Sequence, residues 1–442
     1  MNKLKQEAFI LLAKPWLFLS LALVLLLGVS FNSRLNDRNW RYVMNSDGKG
    51  YYAFLPAIFI YGDLSFPFVE DYEKDYYDPG NFSEFRMGAG NHIVNKYWCG
   101  VSVMMSPFFF CGLVWAYLGG FEIDGYDFPF QASIAFGAIF WLLLGIFLLH
   151  KCLVHEWKIL PHFASFAVFF MVFATNLFYY TVFEPSMSHV YSFTAIAAWI
   201  WSFYYLRSNQ NVKGALLFGS LLGLIALIRP TNLIVVLSLP FLAGGISDLK
   251  SFLLNFLRSK KNLILTLSGF FVLFGIQPFI FFLQTGKVWA YTYGNEGFNF
   301  LKPEIINLLF SFRKGLFVYA PLCFVALSGL FFMKARQAAW SFVFLLLVFY
   351  LLSSWWMWYY GGSYGMRAAI DFFPFFTILL ALAINRWPLI FIMLSILCTS
   401  YTIVQTYQYT HWILPYDGMN KEKFMMIFMK TDDEYIGKIK AE

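Results

Sequence analysis

Asp47 lies in NSDGKGYY, in the loop that follows the first apolar run of the chain. Gly48 and Gly50 permit an irregular backbone there, so a loop can present the carboxylate. A carboxylate so placed can take a proton from an acceptor hydroxyl as a general base. The same side chain can instead close an Asx-type turn on its own backbone. The residue types leave both roles open. Asp63, in YGDLSF, reads as a turn or helix-end residue.

A second group of polar residues falls at the ends of apolar runs. Glu184 opens EPSMSHVYSF, and His189 follows one turn into the next helix. The pair could bind sugar hydroxyls or help place a metal. A helix-start arrangement with a buried, hydrogen-bonded histidine is the favoured reading of His189. No HxH or HExxH occurs, so a divalent metal has no ligand motif behind it. Arg229 closes LLGLIALIRP, and Asn232 ends the RPTN turn. Arginine suits two-pronged phosphate contacts, although a span-end arginine can also simply snorkel to water.

Arg313 and Lys314, in SFRKGLFVYAP, stand together before a span and read as phosphate-binding cations. In WWMWYYGGSYGMRAAID, aromatic anchors precede a glycine-rich turn that contains Tyr364 and leads to Arg367. Arg367 and Asp371 are four apart, which on an α-helix predicts an ion pair. Asp371 could then orient Arg367 toward a phosphate. Lys49 belongs to the same polar group. Ionisable residues at span ends are costly unless paired, wet or useful. Acids and cations gathered near one level point to an anionic, hydroxyl-rich substrate.

The elements that must hold these residues are membrane helices. The chain has 442 residues, is 60% hydrophobic and only 13% charged, and carries 55 Phe. Its repeated apolar runs match the roughly 20 helical residues needed per crossing, and helices satisfy their own backbone in lipid. The fold class expected is an all-α polytopic membrane protein with about eleven spans. They are placed near 10–31, 130–150, 161–183, 188–206, 214–229, 231–246, 262–284, 315–333, 338–357, 368–385 and 388–405. Lys3 and Lys5 before the first run, with no small-residue cleavage site after it, read as a retained signal anchor.

With the N-terminus cytoplasmic, the inner loops hold fourteen basic and three acidic residues. That is the positive-inside pattern, so orientation explains the net charge of +7 without nucleic acid. Cys99–Leu118 is apolar enough to cross, but crossing would invert every later loop. Pro107 interrupts it, and acidic GGFEIDGYD follows, so it reads as a juxtamembrane or half-buried outer helix. Residues 1–405 then form one transmembrane domain with an outer loop at 32–129, and 406–442 form a short outer tail. KPEIINLLFSF (Lys302–Phe312) reads as an interfacial helix, and DYEKDYYDPGNF (Asp71–Phe82) as a surface charge run. The five cysteines are scattered without metal-ligand spacing and read as small apolar residues.

The order and sidedness of these segments resemble the GT-C superfamily of integral-membrane glycosyltransferases. The branch is that of protein mannosyltransferases and aminoarabinose lipid A transferases, in bacterial form. The likeness rests on SDGKGYYAFLP, EPSMSHVYSF, RPTN, SFRKGLFVYAP and WWMWYYGGSYGMR, and covers about residues 10–405. It implies a polyprenyl-phosphate-linked sugar donor, a glycan, lipid or protein acceptor, and a place in the inner membrane. It also implies that Asp47 acts as base and that Arg313, Lys314 and Arg367 hold the donor phosphate. The family's paired-acid motif is incomplete, because Gly48 follows Asp47. The metal dependence of some branches is not carried over, and no cofactor is identified. Transporters, flippases or polymerases of polyprenyl-linked glycans are the alternative class. Transporters would be expected to carry internal repeats and ionisable groups at mid-membrane, and neither is visible in the sequence.

Overall fold

The computed structural model describes residues 15–77 and 84–440. Lys3, Lys5, Glu7, Lys14 and the DPGNF end of the first-loop charge run lie outside the described residues. The described residues are all-α apart from one small hairpin. Among the described residues six helices are long and apolar enough to cross a membrane: Gly100–Gly119, Phe128–His155, Lys260–Thr285, Ala335–Ser353, Arg367–Arg386 and Pro388–Thr410. A bent pair, Pro230–Ala243 with Ile246–Arg258, makes seven if taken as one span. Arg367–Arg386 is the central helix, with 89% of its apolar window buried, whereas Lys260–Thr285 has 17% and lies at the rim.

Several expected spans are shorter or broken, each for a local reason. The run 161–183 divides into Pro161–Phe173 and Leu177–Val182. At the break Thr175 Oγ1 donates to the Met171 carbonyl at 2.6 Å and accepts from the Leu177 amide at 3.3 Å. A hydroxyl thus takes over bonds that the helix ladder would have made. The run 315–333 breaks at Pro321, which has no amide hydrogen to give. The run 338–357 ends at Ser353, so the Trp355–Trp358 aromatics lie in a loop.

Cys99–Leu118 does form one helix, Gly100–Gly119, of span length. It runs antiparallel beside the first half of Phe128–His155. Trp141 Nε1 donates to the Met104 carbonyl at 2.9 Å, and Gly112 packs on the backbone of Phe130. Pro107 does not interrupt it. The Val103 carbonyl that loses its partner there accepts from Ser106 Oγ at 2.8 Å.

The first long loop folds into a cap. Helix Asp47–Pro56 continues through a wider turn at Ala57–Tyr61, and helix Val69–Tyr76 follows. An antiparallel hairpin, Arg86–Ala89 with His92–Asn95, pairs Arg86 with Asn95; nothing in the alternation of residues predicted it. The reading of Asp71–Phe82 as a surface charge run needs correction over its described part. Tyr72 and Tyr76 are buried, and Tyr72 stacks on Tyr126 at 3.8 Å between centroids. Glu73 pairs with Lys49 at 3.0 Å. Lys49 is fully buried and also sits over the Tyr77 ring at 3.9 Å, so it braces the cap.

Candidate active site

Asp47 is the first residue of its helix, after Ser46 at φ 51°. The flanking glycines serve close packing rather than mobility. A Cβ on Gly48 would lie 1.9 Å from Ser186 Oγ, and one on Gly50 would lie 2.5 Å from the Tyr97 ring. The helix start is thereby pressed against the segment that follows Glu184. The Asp47 oxygens do not go to its own backbone. Oδ1 accepts from the Tyr97 hydroxyl at 2.8 Å, and Oδ2 pairs with Arg367 Nη1 at 2.9 Å.

Arg367 starts a 3₁₀ turn, Arg367–Phe372, that leads into the central helix. Its Nε donates to the Tyr360 carbonyl at 3.0 Å. Left-handed backbone at Tyr360, Gly361 and Gly365 shapes the loop that carries it. The expected Arg367–Asp371 pair does not form. In a 3₁₀ turn residues three apart eclipse, so residues four apart point about 120° away from each other. Asp371 instead faces the interior, fully buried, and meets three residues of two other segments. It accepts from His189 Nδ1 at 3.0 Å and from Asn232 Nδ2 at 2.8 Å, and Arg229 Nη1 lies 3.8 Å away.

Arg229 is extended at the end of helix Val212–Ile228, as the residue before Pro230 must be. Its Nη2 reaches the Tyr51 hydroxyl at 3.4 Å. Glu184 Oε1 accepts from the Tyr179 hydroxyl at 3.0 Å. Asp47, Glu184, Arg229, Asn232 and Arg367 therefore line one cavity of about 1660 Å³. Trp98, Trp289, Tyr293, Trp355, Trp356 and Tyr360 give that cavity an aromatic wall.

The other expected site residues lie elsewhere. His189 is a buried, hydrogen-bonded core histidine behind the cavity wall. Tyr364 is buried, held by the Tyr180 hydroxyl at its amide and by Asn176 at its carbonyl. Arg313 makes a two-pronged pair with Asp417 at 2.8 and 2.9 Å and covers the Tyr359 ring. Lys314 donates to the carbonyls of Ser363 and Tyr416. These two cations tie the glycine-rich loop to the C-terminal segment, and neither lines the cavity. The cavity adds three charged residues that the sequence reading passed over: Arg34, Lys96 and Glu296. Lys96 and Glu296 pair at 2.6 Å, and Arg34 donates to the Tyr42 carbonyl. Each stood as a single charge in a loop, with nothing in the sequence to name its partner.

The two cavity acids are driven apart electrostatically. Burial alone would push the Asp47 carboxyl up. The Arg367 guanidinium, the Tyr97 hydroxyl, Arg229 and Lys96 outweigh burial and hold it below the ordinary aspartate range. Burial pushes Glu184 above the ordinary glutamate range, with Arg367, Tyr179 and Arg34 offsetting only part of that. Two carboxyl groups in one site with opposite shifts suit opposite proton roles.

The Glu184 shift predicts a pH dependence. A carboxyl whose folded pKa lies above its unfolded value binds more protons when folded, so its contribution to stability falls as pH rises through that window. Glu184→Gln removes the titration. The variant is expected to unfold at a higher temperature than the parent at pH 7, with the advantage shrinking as pH falls through the carboxyl range. Parallel unfolding curves across that range would contradict the shift.

A resident divalent metal does not fit these residues. Among the described residues no three His, Cys, Asp or Glu side chains gather to hold one. Both Asp47 oxygens are already engaged, and positive charge comes from Arg34, Arg229 and Arg367. The geometry thus offers an ionised carboxylate beside fixed guanidinium groups, inside an aromatic-walled chamber. No family model and no curated protein matches the chain.

Proposed function

We propose that this protein is a GT-C-like glycosyltransferase of about eleven spans in a bacterial inner membrane, with its N-terminus in the cytoplasm. It moves a sugar from a polyprenyl-phosphate donor to a hydroxyl acceptor on a glycan, lipid or protein at the outer face. The observation that carries the reading is the 2.9 Å pair between Asp47 and Arg367. A first-loop carboxylate and a cation from the far end of the chain meet in one chamber, with Arg229 beside them.

In this reading the donor phosphate enters between Arg367 and Arg229. It competes with Asp47 for Arg367 and so frees the carboxylate. The acceptor oxygen bonds to the anomeric carbon as the bond from that carbon to the phosphate oxygen breaks. The hydroxyl proton passes to Asp47, and the electron pair leaves on the lipid phosphate. One displacement inverts the anomeric centre. Fixed arginines in a half-buried chamber stabilise the charge that grows on the leaving phosphate.

Undecaprenyl phosphate is a probe that does not depend on the sugar. It should raise the thermal midpoint of the purified protein, because a ligand that binds only the folded state stabilises it by mass action. Undecaprenol has the same tail without the phosphate and should raise it far less. Equal shifts from the two would remove the phosphate site and the proposed donor with it.

A further inference from the structure

Pro230–Ala243 and Ile246–Arg258 meet at 110°. Gly244 and Gly245, at φ 96° and 145°, build that corner, and side chains rarely adopt such backbone. The helix that follows lies at the end of the bundle opposite the cavity. Val212–Ile228 ends beside the cavity at Arg229, and Lys260–Phe274 runs parallel to it, with Gly219 on Thr266 and Gly223 on Phe270. Lys260 is therefore level with the start of Val212–Ile228, roughly 25 Å from Arg229 along 17 residues.

Helix Ile246–Arg258 divides its apolar surface in two. Leu249, Phe252 and Phe256 are buried, and Phe252 meets Phe203 at 5.5 Å between centroids. Ile246, Leu253, Leu254 and Leu257 are exposed, the last two at 51% and 52%. Lys250 and Arg258 stand one turn before and one turn after Leu254, so they bracket this apolar strip. Lys260 and Lys261 follow directly, and Arg336 approaches from another segment. Arg336 donates to Ser247 Oγ at 3.1 Å, which fixes it over the corner. Asp248 is the one acid in the helix. Lys250, Arg258, Lys260 and Lys261 are exposed and have no ion-pair partner among the described residues.

We propose that Ile246–Arg258 is an in-plane anchor that binds anionic phospholipid, with its open leucines in the acyl boundary and its basic collar on headgroup phosphates. The right-angle corner sets the helix across the bundle. The half-buried face fixes its depth against the protein. The open half then needs an apolar layer beside the cations, which snorkel to the phosphate level. Charge complementarity selects an acidic leaflet over a zwitterionic one, since each basic residue near such a surface adds attraction. The proposal does not depend on the sugar chemistry at the other end of the bundle.

The test uses the full-length protein in bilayers of mixed phosphatidylglycerol and phosphatidylcholine. After extraction into neutral detergent, the co-purified lipid is counted by headgroup. The parent should retain phosphatidylglycerol enriched at least about fivefold over its bulk share. K250Q/R258Q/K260Q/K261Q should bring the ratio close to bulk, and its thermal midpoint checks that it folds. L254N/L257N should lower both retained lipids together and leave their ratio unchanged. Raising salt from about 50 to about 500 mM should erode the parent's enrichment, because screening weakens exposed charge pairs. This arm needs no variant. Bulk lipid proportions in the parent would overturn the proposal, as a surface for a soluble acidic protein would give. Salt-insensitive enrichment, or a folded quadruple variant that keeps it, would also overturn it.

Discussion

Asp47→Asn is expected to lower the turnover of sugar transfer by about 10²–10⁴-fold, the usual span for loss of a general base. Affinity for undecaprenyl phosphate should hold or rise. The amide keeps the volume of the carboxylate and can still accept from the Tyr97 hydroxyl, which now bonds Oδ1 at 2.8 Å. It loses the charge that holds Arg367 at 2.9 Å. Arg367 is then free for the phosphate before any substrate arrives, so donor binding loses a competitor. A fall in turnover without a fall in donor affinity is the signature that separates a base from a structural acid. Single-turnover transfer and a thermal-shift titration with undecaprenyl phosphate measure the two separately. Full turnover in Asp47→Asn would take the residue out of the reaction.

Arg367→Gln is expected to act on both stability and chemistry. It removes a positive charge from the leaving phosphate, a loss of about 10²–10³-fold in turnover by analogy with other fixed donors. It also leaves the Asp47 carboxylate in a half-buried chamber without its closest cation. An uncompensated charge of this kind costs about 1–3 kcal/mol once solvent in the chamber is allowed for. Its Nε bond to the Tyr360 carbonyl goes as well, which loosens the glycine-rich loop. The double variant Asp47→Asn/Arg367→Gln should regain part of the lost stability and none of the activity. A double-mutant cycle on thermal midpoints reads that coupling. Additive losses would mean that the pair contributes nothing as a pair.

The two changes also differ in pH dependence. Asp47 is held below the ordinary aspartate range, chiefly by Arg367 against the effect of burial. A group depressed on folding adds stability above its unfolded pKa and loses it as pH falls through the folded value. The parent should therefore keep the Asp47–Arg367 contribution through mildly acid pH. Arg367→Gln removes that protection, so its stability gap to the parent should be widest at neutral pH and close in acid.

Much of the fold class and part of the cavity lining was legible from residues alone. Apolar run length, loop charge and span-end polar groups are local properties, and each carries a direct physical cost in a bilayer. They sufficed to bring Asp47, Glu184, Arg229, Asn232 and Arg367 forward, and these five line one cavity. Partner choice was not legible, because it depends on side-chain direction and on segments far apart in the chain. An α-helical phase would join Arg367 to Asp371, whereas the 3₁₀ turn sends Arg367 to Asp47 and Asp371 to His189 and Asn232. Arg313 and Lys314 carry the right charge for a phosphate, yet Asp417, Ser363 and Tyr416 claim them first. Composition thus determined the solvent in which this chain folds and the end of the bundle where its polar groups gather. Tertiary packing alone decided which charges stayed free to face a ligand, since a charge is committed by its nearest neighbour in space.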